Sequence, residues 1–323
     1  MQVFLRCRKR QNQKVAEMRD YEFWKQGNLP ISYNMALEEY MLERSEKLGT
    51  STIRFWNVNN DAVVLGYAES TNSIKEKDQS FDVARRITGG SHVQFDTNCL
   101  AYSFTVPRDG TFAHFDEMRK YYAELIGDAL ASLGINVTKV DNRASTINVN
   151  DKVVASHAMF WGVKSALMHG LMIINRYDAD KILKRVVLNE RKIGKNTYSE
   201  YAALKSIPHL SQFLESETST ISKNNKSEFV KKIISESVLR QVTNGKYSEK
   251  QLSENVAAVA LNKFGNKHSG EEWFAERKPS ITSDEAEAIP GEELDGKLKS
   301  GLGYCMYSQV SDKDFEKMSE PVE

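Results

Sequence analysis

Two adjacent arginines run into a glycine pair at Arg85-Arg86-Ile87-Thr88-Gly89-Gly90, and no other stretch gathers so many groups suited to holding an anion. Glycine has no Cβ, so the main chain can come close to a ligand. Bare backbone N–H groups beside guanidinium forks suit a phosphate or a carboxylate. Val83-Ala84 before the glycines and Ser91-His92-Val93-Gln94-Phe95 after them predict strand, tight turn, strand. Taken alone, the segment reads equally well as an ordinary hairpin with solvated arginines.

Two more residues are candidates for the same pocket. Lys152 follows Asn150-Asp151 and precedes Val153-Val154 on an apparent hairpin. A compact ammonium there could hold a carboxylate together with an α-phosphate, and stabilise charge developing in phosphoryl or acyl transfer. The bland alternative is a solvated hairpin lysine. His169, next to Gly170, interrupts the apolar run from Ala166 to Ile174, and a lone imidazole there needs a partner; a satisfied core histidine is its ordinary explanation. Other chemistries lack their signatures. The chain has no HExxH, no GxSxG and no phosphate loop ending in Gly-Lys-Ser/Thr. Cys99, beside a strand with no activating neighbour, reads as a buried, inert thiol.

The elements that must position these residues follow from composition and periodicity. Of 323 residues, 40% are hydrophobic and 10% aromatic, enough for a large domain and a smaller one. Lys+Arg and Asp+Glu are both 44, so no basic field points to nucleic acid. Three scattered cysteines, Cys7, Cys99 and Cys305, form no CxxC pair, which argues against a disulfide framework or a thiolate zinc site and fits a reducing compartment. No apolar run is long enough to span a bilayer. Helical spacing is strong at 34–42 and 115–133, with Gly134 as the stop. Residues 52–56, 62–67, 100–106, 135–140, 146–149, 152–155 and 165–174 read as strands, and 179–187 as a helix. This order predicts an α+β fold with mixed or antiparallel sheets flanked by helices. The boundaries are a basic N-terminal segment over 1–20, a main domain over 21–215, a polar linker, a small helical accessory domain over 228–278 with helices at 229–241 and 249–264, and an acidic tail over 279–323 read as largely irregular.

Taken in order, Asn34-Met35-Ala36-Leu37-Glu38-Glu39, Val63-Val64-Leu65-Gly66-Tyr67, Arg85 to Gly90, Lys152-Val153-Val154-Ala155-Ser156 and His169-Gly170 resemble the lipoate–protein ligase A family, within the biotin/lipoate ligase and octanoyltransferase superfamily. Lys267-His268-Ser269-Gly270-Glu271-Glu272-Trp273 resembles the closing motif of the family's accessory domain. The resemblance implies ATP-dependent adenylation of lipoate or octanoate, with Mg2+, and transfer of the acyl group to a lysine of a lipoyl carrier domain. The carrier would be an E2 subunit or a protein of the glycine-cleavage H type, and the location cytoplasmic, or mitochondrial for a eukaryotic source. By the same resemblance Lys152 touches the acyl-adenylate and Arg86 its phosphate. Gly89, Gly90, Ser91, His92, Val93 and Gln94 form the nucleotide-side loop, and His169 stands beside the acyl pocket. Trp56, Val64, Leu65 and Met172 are candidates for an apolar tunnel. The sequence departs from the family at Ser91 and His92, at Phe95, at Ser145-Thr146 where a metal carboxylate is expected, and at Ala155. No metal ligand is legible, although Asp141 and Asp151 lie near. Those departures motivate one alternative, a non-catalytic relative that binds carriers or a partner ligase; Thr88-Gly89-Gly90 and Leu100-Ala101-Tyr102-Ser103 resemble a second, an octanoyl- or lipoyltransferase. The transferase requires a thiolate that the segment Asp141-Asn142-Arg143-Ala144 lacks.

Overall fold

The computed structural model of the chain describes residues 19–276 apart from 26–27, 76–80, 143–144, 177, 179–183, 187–189, 194–195, 200–208, 215–222 and 253. In chain order the elements are β1 (Tyr21–Lys25), α1 (Ile31–Leu48), β2 (Ser51–Trp56), β3 (Ala62–Leu65), β4 (Asp82–Arg85), β5 (Val93–Phe95), β6 (Cys99–Pro107), α2 (Phe115–Ser132), β7 (Val137–Asp141), β8 (Thr146–Val149), β9 (Lys152–Trp161), β10 (Ser165–Ile173), β11 (Glu190–Ile193), β12 (Asn196–Ser199), α3 (Lys223–Thr243), β13 (Ser248–Gln251), α4 (Glu254–Ala260), α5 (Asn266–Ser269) and α6 (Glu271–Glu276). The fold is α+β. A mixed eight-stranded sheet runs in the order β13-β1-β2-β6-β10-β9-β8-β7, and a three-stranded sheet in the order β4-β3-β5.

The two faces of the large sheet carry different cores, as the two-residue period of a strand requires. One face packs Phe104, Met168 and Met172 against Met118, Tyr122 and Ile126 of α2, with Val230, Ile234 and Val238 of α3 behind. Phe104 stacks on Tyr122 at 4.7 Å, a contact worth about 1 kcal/mol beyond burial. The other face joins Trp56, Ala101 and Leu171 to Val64 and Phe95 of the small sheet and to Ile31 and Met35 of α1. α1 therefore lies between the sheets. It ends at Gly49, whose φ of +67° closes the last turn by donating its N–H to Ser45 O. Its buried residues fall on 31, 34–38, 41/42 and 45, so the middle turn is buried all round, and they include the polar residues Asn34 and Glu38.

Three expectations change. β4 and β5 do not form a hairpin with one another; both pair with β3, β4 parallel and β5 antiparallel. The helix expected from 249 starts at Glu254, because Ser248–Gln251 is a strand that pairs in parallel with β1. Asn244 and Gly245, both with positive φ, stop α3 and turn the chain into that edge. Third, the segment expected to stand off as a helical satellite is joined to the main body, through β13 on the large sheet and α3 against α2. The expected helix at 179–187 lies mostly outside the described residues. So do residues 1–18, the first part of the linker and the acidic tail.

Candidate active site

The small sheet builds the loop. Because β4 and β5 flank β3, the chain from Arg86 to His92 must cross the end of β3. There the two backbones touch: a Cβ on Gly66 would lie 1.7 Å from the Gly90 carbonyl oxygen. Gly90 itself has φ +93°, which a side chain would strain.

Arg86 organises this loop from within. Its Nε donates to Thr88 Oγ1 at 3.0 Å and Gly89 O at 3.2 Å, its Nη1 to Val64 O at 3.1 Å, and its Nη2 to Gly89 O at 2.6 Å and Ser91 O at 2.8 Å. A trans peptide sets C=O and N–H on opposite sides, so turning the carbonyls of 89 and 91 inward aims the N–H groups of Gly90 and His92 away from Arg86, and the His92 N–H goes to the Glu69 carboxylate. Arg85 is also buried. Its Nη1 donates to the carbonyls of Gly66, Tyr67 and Glu69, and its Nε donates to Phe274 O at 2.8 Å. Neither arginine is the solvated group of a simple hairpin. Glu69 accepts from His92 Nδ1 at 2.7 Å and from Gly66 N–H at 3.2 Å. Burial alone would raise the Glu69 carboxyl, but these bonds hold it below the usual carboxylate range.

Beneath the loop lies a cavity of about 200 Å³. Its apolar wall comes from Met35, Trp56, Val64, Val93, Phe95 and Leu171, and its polar end from Arg86, Gly89, Gly90, Ser91 and His169. Trp56 stacks on Phe95 at 5.3 Å. Of the expected tunnel residues, Trp56 and Val64 are present. Met172 is not, because it projects from the opposite face of β10 into the α2 core, and Leu65 is buried without lining the cavity. His169 Nε2 lies 2.6 Å from Thr88 Oγ1, and its Nδ1 lies 2.7 Å from Glu38 Oε2. His157 is buried with no hydrogen-bond partner for either ring nitrogen among the described residues. Burial first, then the nearby Arg119 guanidinium, pushes its pKa down to about 3.

The expected site is thus brought together in part. Arg86, Gly89, Gly90, Ser91, Val93 and His169 line one cavity. His92 and Gln94 flank it without lining it; Gln94 is buried in β5 opposite Val63 of β3. Lys152 does not line the cavity. Asn150 and Asp151 have φ of +48° and +61°, making a tight two-residue turn, and Lys152 is the exposed residue that follows, opposite Val149. Counting by twos from Ser156, which does line the cavity, would put Lys152 on the same face. A bulge breaks the count: Ile147 pairs with Ala155 but Asn148 with Val153, leaving Val154 extra. For the metal, no three His, Cys, Asp or Glu side chains gather to hold an ion among the described residues. Asp141, a candidate stand-in, is paired with Lys139 at 2.6 Å.

Sequence reasoning missed Glu38, Glu69 and the fastening of the C-terminal motif. Glu39 accepts from Lys267 at 2.7 Å and pairs with His268 at 2.6 Å, and Lys267 lies 3.9 Å over the Trp273 ring. Burial would raise the Glu39 carboxyl, but these two cations bring its pKa down to about 2. Trp273 Nε1 donates to Arg85 O at 2.9 Å. For Glu38 the signal was a carboxylate on an apolar helix stripe.

Comparison with known proteins places this geometry. The chain is 28% identical over 188 residues to lipoate–protein ligase 1 of Staphylococcus aureus, covering 56% of this chain and 53% of that protein. It is 23% identical over 279 residues to lipoate–protein ligase LplJ of Bacillus subtilis, covering 84% and 78%. It spans little more than half the length of the Staphylococcus protein and of a lipoate–protein ligase A relative from Aeropyrum pernix. Its fold matches a structure described as a bipartite lipoate protein ligase and its E2 lipoyl domain from Thermoplasma acidophilum, with TM-score 0.65, 16% identity and coverage of 82% and 99%. It also matches a lipoate–protein ligase A bound with ATP, with TM-score 0.60, 18% identity and coverage of 79% and 98%. The model of the lipoyl protein ligase A/B catalytic domain matches residues 30–234. That span is well over half of the chain, and with the loop, cavity and sheet order it fixes the assignment: this protein belongs to the lipoyl protein ligase A/B catalytic domain family.

Proposed function

We propose that this chain is an ATP-dependent lipoate–protein ligase, acting on lipoate or octanoate. In the first step the acid's carboxylate oxygen attacks the α-phosphorus of ATP and pyrophosphate leaves. In the second, the amine of a lysine on a lipoyl carrier domain attacks the acyl carbon, AMP leaves, and the amine's proton passes to solvent. One observation carries this reading: a loop of inward-turned carbonyls, with the Gly90 amide facing away from Arg86, closes the polar end of a cavity whose other wall is apolar. An acyl chain fits the wall, and a mixed anhydride needs donors at the loop. The relatives support the substrate class, since solved neighbours are described with bound lipoic acid and with ATP. The Thermoplasma neighbour's E2 lipoyl domain supports a carrier of that type. Lys152 enters by resemblance alone, as the lysine that reaches the nucleotide from the β8–β9 turn.

The test is incubation of the full chain with ATP, Mg2+, lipoate or octanoate, and a lipoyl domain, read by intact mass. A carrier heavier by one acyl group, with AMP and pyrophosphate released, is the expected result. An unmodified carrier and no pyrophosphate refute the ligase reading. One observation favours a non-catalytic carrier-binding relative instead: both loop guanidinium groups bond main-chain carbonyls. The same experiment separates the two, because that relative would bind the carrier without consuming ATP. A thioester-forming transferase draws no support from Cys99, which is 1% exposed with its Sγ 3.3 Å from Asp96 Oδ1.

A further inference from the structure

We propose that Glu38 is a positioning residue for the nucleotide-side loop, acting through His169 and Thr88, and that His169 serves the loop with its ring nitrogens rather than the ligand. The inference deepens the ligase reading and rests on it for the rate effects below.

Four side chains from three parts of the fold form one chain of hydrogen bonds: Arg86 Nε to Thr88 Oγ1, 3.0 Å; Thr88 Oγ1 to His169 Nε2, 2.6 Å; His169 Nδ1 to Glu38 Oε2, 2.7 Å. All four are buried. Two arrangements of protons fit these distances, an imidazolium that donates from both nitrogens and a neutral ring, and only the neutral ring gives the Thr88 hydroxyl hydrogen an acceptor within the chain. A guanidinium has donors and no acceptor, so Thr88 Oγ1 must accept from Arg86. Its own proton then goes to the nearest acceptor, His169 Nε2, which must carry a lone pair. The imidazole proton therefore sits on Nδ1, where the carboxylate of Glu38 accepts it. The carboxylate end sets the direction of the whole chain. Glu38 does not stand as a lone buried charge: Arg54, 1% exposed, lies within its electrostatic reach.

The consequence falls on Arg86. The guanidinium that turns the carbonyls of Gly89 and Ser91 inward is held in plane by Thr88 at its Nε end. Loss of the carboxylate frees the imidazole to place its proton on Nε2. That hydrogen then faces Thr88 Oγ1, which already accepts from Arg86. The buried hydroxyl is left with two donors pointing at it and no acceptor for its own hydrogen, an arrangement that pushes the loop away from the cavity. Both ring nitrogens of His169 have partners already. Its place on the cavity wall is thus that of a ring edge, not of a ligand donor.

The full chain and the variants Glu38→Gln, Thr88→Val and Thr88→Ser test this. In the native protein with 15N-labelled histidine, His169 should show a protonated Nδ1 and an unprotonated Nε2, with the Nδ1 proton shifted far downfield. An Nε2-protonated ring would overturn the proposal, and this readout needs neither activity nor a variant that folds. Glu38→Gln should remove the downfield proton and slow single-turnover pyrophosphate release about ten- to hundredfold, with KM for the acid unchanged. Thr88→Val should match it and Thr88→Ser should restore most of the rate. The Glu38→Gln/Thr88→Val double variant should be no slower than either single one, since both break the same chain. Additive losses, or native rates in Glu38→Gln, would also overturn it. If the native protein makes no adenylate, the ligase reading fails, while the tautomer still decides the relay.

Discussion

Replacing Gly66 by alanine probes the loop most directly. Gly66 has an ordinary backbone conformation, so the new methyl brings no φ penalty, only a collision. Its Cβ would lie 1.7 Å from Gly90 O, whereas carbon–oxygen contacts settle near about 3.3 Å. The loop must therefore retreat by roughly 1.6 Å, a distance that no side-chain rotation can absorb because both partners are backbone. Arg86 Nη2 holds the neighbouring carbonyls at 2.6 and 2.8 Å, and a shift of that size breaks at least one of these bonds. Each charge-assisted bond is worth about 1.5–3 kcal/mol, so the loop loses roughly 2–5 kcal/mol of local order while the cores on either face of the large sheet stay intact. Misplacement on the scale of an ångström costs about a hundredfold in rate. Pyrophosphate release should fall by about that factor, with a urea transition close to that of the native protein. Gly49→Ala is the control. It also replaces a glycine, at φ +67° with nothing within 4 Å, so it should cost about 1 kcal/mol of stability and leave adenylation alone. Native adenylation in Gly66→Ala would refute the role given to the loop.

Other consequences can be measured separately. His157 has a folded pKa of about 3 against an ordinary value of 6.5, so the unfolded chain binds its proton first as pH falls and stability drops below the ordinary value. From about pH 7.5 to about pH 5 this group alone should remove about 2 kcal/mol. Urea unfolding of His157→Leu should show a correspondingly flatter acid limb, and an unchanged limb would dismiss the buried imidazole as its cause. Glu39→Gln leaves Lys267 with a weaker partner in a half-enclosed site, so the melting temperature should fall and protease cleavage near residue 267 should rise; equal protection would argue against the fastening. Lys152→Ala should melt like the native protein because the side chain is exposed. By the family resemblance it should lose at least tenfold in acyl transfer, and full activity would remove Lys152 from the site.

Much of the site was legible because its signals are local. The Arg-Arg and Gly-Gly pairs announced a loop that approaches something closely, and His169 announced its need for a partner by standing alone in an apolar strand. Helices α1 and α2 followed from spacing, and Gly134 marked the end of α2. What failed to show was non-local or depended on a single inserted residue. Nothing in residues 83–95 says that β3 lies between the two strands, since a sheet order is set by packing across the chain. The bulge at Val154 reverses which face Lys152 shares, and a count by twos cannot see it. β13 is short and polar, and becomes a strand only because β1 offers it an unpaired edge. Glu38 was quoted with its helix, but its role depends on a histidine 131 positions away.

The fastening of Arg85 by Trp273 and Phe274 carries a timetable. Partners separated by 188 and 189 positions cannot meet until nearly all of the described chain has left the ribosome, and such long closures form late. The sheet that underlies the loop can assemble well before that moment. A nascent chain would therefore hold a finished floor with a loose roof for much of its synthesis, until the last tryptophan arrived.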